Sequence, residues 1–125
     1  MDITPVVPAD RQVIQSYGGG GFRITGARHA GSVLVFPGRT LAWPVTAIEA
    51  ATADSLAEVF AGASKVELLL IGTGARMVAV PAALRAHFRA AGVALDAMDT
   101  GAACRTYNVL MSEERRIAAA LIAIS

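Results

Sequence analysis

Cysteine is almost absent from this 125-residue chain: Cys104 stands alone, which excludes an intramolecular disulfide and any metal site built on several thiolates. That scarcity fits a reducing compartment but constrains it weakly. Long apolar runs are lacking too. Hydrophobic residues make up 54% of the chain and its mean hydropathy is +0.52, yet alanine carries much of both. Polar residues interrupt every apolar stretch well short of the roughly 20 residues a spanning helix needs, so no transmembrane segment is expected. Asp2, Pro5 and Pro8 replace the basic and apolar regions of a secretory signal, which makes the cytoplasm the default location. An excess of one charge is also missing: 11 basic against 10 acidic side chains leave a net charge of +1. With aromatics at 6%, the chain offers neither a broad electrostatic footprint nor a stacking platform, so no nucleic-acid partner is expected. The local pairs Arg85/Arg89 and Arg115-Arg116 read as solvated faces.

Catalytic signatures are missing in the same way. Val66 to Gly74 is an apolar run that stops at a glycine pair and precedes a helix opening at Pro81, in the manner of a nucleotide site. No Gly-Lys-Ser/Thr follows Gly74, however, and Gly72-x-Gly74 lacks the third glycine of a dinucleotide fingerprint. His29 and His87 have no partner at metal-binding spacing, and Gly31-Ser32 is not part of a Gly-x-Ser-x-Gly elbow. The chain therefore reads as a non-enzyme without a cofactor or metal. Cys104, on the apolar stripe of a helix, reads as a small buried hydrophobe.

What is present is a legible α/β pattern. Residues 1–12, with their two prolines, form an arm, and 13–125 form one domain. Val13 to Tyr17, Phe22 to Thr25, Ser32 to Phe36 and Leu41 to Trp43 are short β-prone pieces. Gly18 to Gly21 serves as a hairpin tip and Pro37-Gly38 as a turn, so the first third is a β-meander. Leu56, Val59 and Phe60 then fall at helical spacing behind Thr52 and Asp54, either of which suits a cap, with Gly62 as terminator. Val66 to Ile71 lacks polar alternation, as a strand covered on both faces does. A helix follows with Pro81 in its first turn, Leu84 and Phe88 on one stripe and Gly92 at its end. Val93 to Met98 is the next strand. Thr100 is the predicted cap of a third helix carrying Ala103, Tyr107 and Leu110 on one stripe. Residues 116–124 fit either a helix or a strand by period; a closing strand after a break near Ser112 is preferred.

Strand, crossover helix and strand over residues 66–98 make a parallel βαβ unit. Its two strands end in Gly72-Thr73-Gly74 and Asp99-Thr100-Gly101, which places both turns at one sheet edge, where α/β folds form ligand crevices. The candidate ligand or partner surface is thus Gly72, Thr73, Gly74, Thr100, Gly101, Arg105 and Asn108. Two readings stay open: a small anion or nucleotide held at the helix N-terminus, or glycines that merely allow tight turns and close packing. Arg105-Thr106-Tyr107-Asn108 is open likewise, as a binding surface or as residues tying the helix to nearby loops.

The order of motifs is itself informative. Tyr17 with its glycines and Phe22, Gly31-Ser32, Trp43, Leu-Ile-Gly-Thr-Gly at residues 70–74, Pro81, Met98-Asp99-Thr100 and Cys104-Arg105-Thr106-Tyr107-Asn108 together resemble one domain family. That family includes mitochondrial NADH:ubiquinone oxidoreductase complex assembly factor 3 and an adipogenesis-associated protein. The resemblance covers nearly everything from Val13 onward. It implies a three-layer β/β/α domain in which short strands cover one face of a central sheet and helices the other. It also implies a non-catalytic, protein-binding role, with partners among membrane or respiratory-complex subunits or their assembly proteins. The mitochondrial branch carries a targeting presequence that this chain lacks, which suggests a prokaryotic relative. The rival expectation is a small-ligand binder or enzyme working at the strand-end crevice.

Overall fold

Glycines mark where the first third of the chain reverses, in a computed structural model that describes residues 11–61 and 65–125. Strand β1 (Ile14–Gly18) turns through Gly19 and Gly20, both with left-handed backbone (φ +61° and +80°), into β2 (Gly21–Ile24). A second reversal at Thr25-Gly26 leads into β3 (Ala27–Ala30), and the three antiparallel strands form a small sheet. The strand β3 is not legible in Ala-Arg-His-Ala, which has no β-branched residue and no alternation. Pairing with β2 makes it a strand.

Beyond Gly31 the meander changes sheets. β4 (Val33–Phe36) and β5 (Arg39–Ala42), joined by the turn at Pro37-Gly38, form the antiparallel edge of a five-stranded sheet with order β5-β4-β8-β6-β7. β6 (Leu68–Gly72) runs parallel to both β7 (Ala94–Met98) and β8 (Ile117–Leu121), while β4 is antiparallel to β8. The closing strand is therefore the middle one, with all five residues buried. Helix α1 (Ala82–Ala90) connects β6 to β7, as the βαβ pattern requires, and α2 (Thr100–Ser112) connects β7 to β8.

One face of the large sheet presents Leu34, Leu69, Ile71, Ala118 and Ala120 to Leu84 and Phe88 of α1 and to two 3₁₀ segments, Ile48–Ala50 and Asp54–Phe60. The opposite face packs Val33, Val35, Leu70, Ala119 and Leu121 against α2 and against Phe22 and Ile24 of the small sheet. The architecture is thus the three-layer β/β/α arrangement, with α2 sharing the small sheet's side instead of joining α1. Ala103, Cys104, Tyr107 and Met111 form the buried stripe that puts it there.

Two local expectations change. The helix expected behind Thr52 and Asp54 is 3₁₀ and is interrupted at Leu56 (φ −116°, ψ 17°). Thr52 and Ser55 exchange hydrogen bonds there, Ser55 N–H to Thr52 Oγ1 at 3.2 Å and Thr52 N–H to Ser55 Oγ at 3.1 Å, a reciprocal cap too short to propagate. The cap of α2 is Asp99, not Thr100: its Oδ1 accepts from Ala102 N–H at 2.9 Å. A carboxylate outcompetes a hydroxyl at that position because it also answers the helix dipole. Residues 1–10 of the arm and Gly62 lie outside the described residues.

Candidate functional site

The two glycine-bearing turns do meet at one edge of the large sheet. Thr73 N–H donates to Met98 O at 2.9 Å and Thr100 N–H to Gly74 O at 2.8 Å. The Thr100 hydroxyl accepts from Gly74 N–H at 3.0 Å and donates to Ile122 O at 2.8 Å, joining the ends of β6, α2 and β8 through one fully buried side chain. Thr73 Oγ1 donates to Arg76 O at 2.8 Å and accepts from Val78 N–H at 3.0 Å, which folds the next loop back over the strand end.

Close approach explains the first glycine. A Cβ on Gly72 would lie 2.9 Å from both Cα and Oγ1 of Thr100 and 3.0 Å from Leu121 Cδ2. Gly101 answers to a different neighbour, since a Cβ there would collide with the Tyr17 hydroxyl. Tyr17, from the tip of the first hairpin, therefore lies across the start of α2.

Five of the seven predicted residues, Gly72, Thr73, Gly74, Thr100 and Gly101, come together in this joint, and all five are buried. Arg105 is one turn further along α2 and exposed. Asn108 turns elsewhere: its Oδ1 accepts from Ile14 N–H at 3.0 Å and its Nδ2 donates to Ile14 O at 2.8 Å. The Tyr107 hydroxyl donates to Gln12 O at 2.9 Å. Tyr107 and Asn108 thus tie β1 and its lead-in to α2, one of the two roles their side chains suggest.

Cys104 is buried within the same helix. Desolvation pushes its thiol from an ordinary 9.0 up to about 12; the Arg105 guanidinium pulls down and the Asp99 carboxylate pushes up, both less strongly. Such a thiol is protonated at neutral pH and is no nucleophile. Burial also raises the Tyr107 phenol, only partly offset by Arg11.

The opposite end of the sheet carries a concavity of about 500 Å³, where β6 and β8 begin and β4 turns into β5. Of its cationic lining, only Arg115-Arg116 forms a recognisable pair in the sequence. Arg11, Arg39 and Lys65 are solitary there, and the fold gathers them.

Family relationship follows from comparison with known proteins. The model of a family described as protein of unknown function (DUF498/DUF598) matches residues 14–122. The chain belongs to this family. An uncharacterised protein of Rhodobacter capsulatus is 41% identical over 109 residues, covering 87% of this chain and 82% of the relative. NADH dehydrogenase (ubiquinone) 1 alpha subcomplex assembly factor 3 of Xenopus tropicalis is 35% identical over 114 residues, 91% of this chain. The chain spans 62% of that longer relative's length. A solved structure titled as an outer membrane protein from Bartonella henselae is 36% identical, with a TM-score of 0.85 over 94% of this chain and 98% of that one. The resemblance read from the sequence thus agrees with the family match over residues 14–122 and with the similarity to assembly factor 3. No helix among the described residues is long and apolar enough to cross a membrane.

Proposed function

We propose that this DUF498/DUF598 member is a non-catalytic protein-binding module that assists assembly of a larger complex. The observation that carries the reading is the strand-end joint. At the edge where α/β folds usually receive ligands, the backbone N–H groups of Thr73, Gly74, Thr100 and Ala102 are already bonded within the chain. Thr100 packs against Gly72 and Tyr17 against Gly101, which supports reading the nucleotide-site appearance of residues 66–74 as sheet geometry. Relatedness to assembly factor 3 supplies the class of role, with membrane or respiratory-complex subunits and their assembly proteins as the partners to test first.

Affinity capture on the full chain from its native cell, with cross-linking to hold weak partners, tests the proposal. Reproducible recovery of subunits or assembly proteins of one complex is the expected result. Recovery of no protein partner counts against it, as does thermal stabilisation by a nucleotide that is lost in Arg105→Ala; a ligand at 100 times its dissociation constant stabilises by about 2.7 kcal/mol.

A further inference from the structure

We infer that the concavity at the far end of the sheet is the docking site for an acidic peptide segment of the partner, one carrying an apolar anchor residue. This rests on the protein-binding reading above and names the surface and the chemistry. Phe36, Val59, Val66, Met111 and Ile117 supply apolar lining, and about 500 Å³ is room for one or two large side chains. Around them stand Arg11, Arg39, Lys65, Arg115 and Arg116, five of the chain's 11 basic residues, against Glu114 as the one acidic residue in the lining. On a chain of net charge +1 this is a marked local concentration.

A structural explanation accounts for only part of it. Arg115 and Arg116 follow the end of α2, where cations answer the helix dipole. Arg11, Arg39 and Lys65 come from three other segments, so the end of α2 accounts for none of them, although the Lys65 Nζ lies at the end of α1, 3.4 Å from where a Cβ on Gly92 would stand. Two of the five are engaged: Arg39 pairs with Glu58 at 3.3 Å and Arg116 with Glu67 at 3.1 Å, both in the open. Exposed pairs of this kind contribute little, so an incoming carboxylate can replace Glu58 or Glu67 at small cost. Arg11, Lys65 and Arg115 have no carboxylate within 4.0 Å among the described residues. Cations spread over four segments around one apolar floor match a ligand with several carboxylates and an apolar centre. A single-headed fatty carboxylate would use one or two of them, and so an acidic peptide is the better match.

The test uses the full chain, isotope-labelled for amide spectra, with the capped peptide Asp-Glu-Leu-Phe-Glu-Asp as probe. Shifts clustering around Phe36, Val66 and Ile117 are expected. Binding should weaken roughly tenfold in the double variant Lys65→Glu/Arg115→Glu, and comparably when salt is raised to about 0.5 M. Both substituted side chains are exposed, and the salt series reads the same term without any substitution. The inference is overturned by absence of shifts at the cavity up to millimolar peptide, by equal response to Lys-Arg-Leu-Phe-Arg-Lys, or by dodecanoate binding where the acidic peptide does not. Native partners captured equally by wild type and double variant would also sink it while leaving the protein-binding reading standing. Failure of capture altogether removes both.

Discussion

Single residues carry the joints of this fold. Gly72 is held to glycine by backbone, because a methyl group at this position would meet Thr100 Cα at 2.9 Å, an atom that no rotamer change can move. Gly72→Ala is expected to cost about 1–3 kcal/mol, the range for overpacking a tight site, and to lower the urea midpoint followed by fluorescence of the sole tryptophan, Trp43. An unchanged midpoint would mean that α2 can retreat from the sheet freely. The helix ends show the opposite case. Both helices close in the same way: Val93 N–H bonds to Phe88 O and Gly92 N–H to Arg89 O after α1, and Arg115 N–H bonds to Leu110 O and Glu114 N–H to Met111 O after α2. This double bond pattern needs a left-handed residue, which Gly92 supplies at φ +76° and Glu114 at φ +60°. For an L-residue with a side chain that conformation costs about 1 kcal/mol or more. Glu114→Gly should therefore stabilise the protein by about 0.5–1 kcal/mol, seen as a higher thermal midpoint; a lower one would show that the carboxylate does more than tolerate its backbone.

At the scale of elements, legibility follows local signals. The stop of α1 is readable because glycine marks the left-handed position, whereas the same stop after α2 is not, since Glu114 carries no such mark. Strand β6 is legible from Leu68 to Ile71, being covered on both faces, but β3 is not, because its pairing with β2 lies outside its own four residues. The candidate joint is legible as two turns at one edge, while its closure depends on Thr100 and Tyr17, whose roles need the third dimension. The docking of β1 belongs to the same class. Asn108 offers Ile14 an acceptor and a donor at once, replacing the neighbouring strand that β1 lacks on that edge. Asn108→Ala leaves both backbone groups of Ile14 without that partner in a half-buried setting, at an expected cost of about 1–3 kcal/mol. Amide exchange should accelerate first in β1 and its lead-in, ahead of the large sheet. Uniform acceleration across both sheets would refute a separate role for this clamp.

For the whole molecule, the decisive topological fact is that the last strand is the middle one. β8 joins the β4-β5 hairpin to the parallel pair β6-β7, so the large sheet is complete only when residues 117–121 insert between segments from both halves of the chain. Its Ala-Ala-Ala centre suits that position, where α1 and the 3₁₀ segments press on one face and α2 with the small sheet on the other. The buried face under α2 also makes the global stability sensitive to alkali. Burial raises the Cys104 thiol from 9.0 to about 12 and raises the Tyr107 phenol above its usual 10.0. Both groups keep their protons in the folded state at a pH where the unfolded chain releases them. Between pH 9 and 12 the unfolded state therefore binds fewer protons, and stability falls as pH rises. Below pH 9 neither group contributes. The urea midpoint measured at steps from pH 8 to 11 should begin to fall near pH 9 in the wild type. In Cys104→Ala the onset should move to about pH 10, where the tyrosine takes over. A midpoint that stays level to pH 10.5 would show that water reaches the thiol beneath α2.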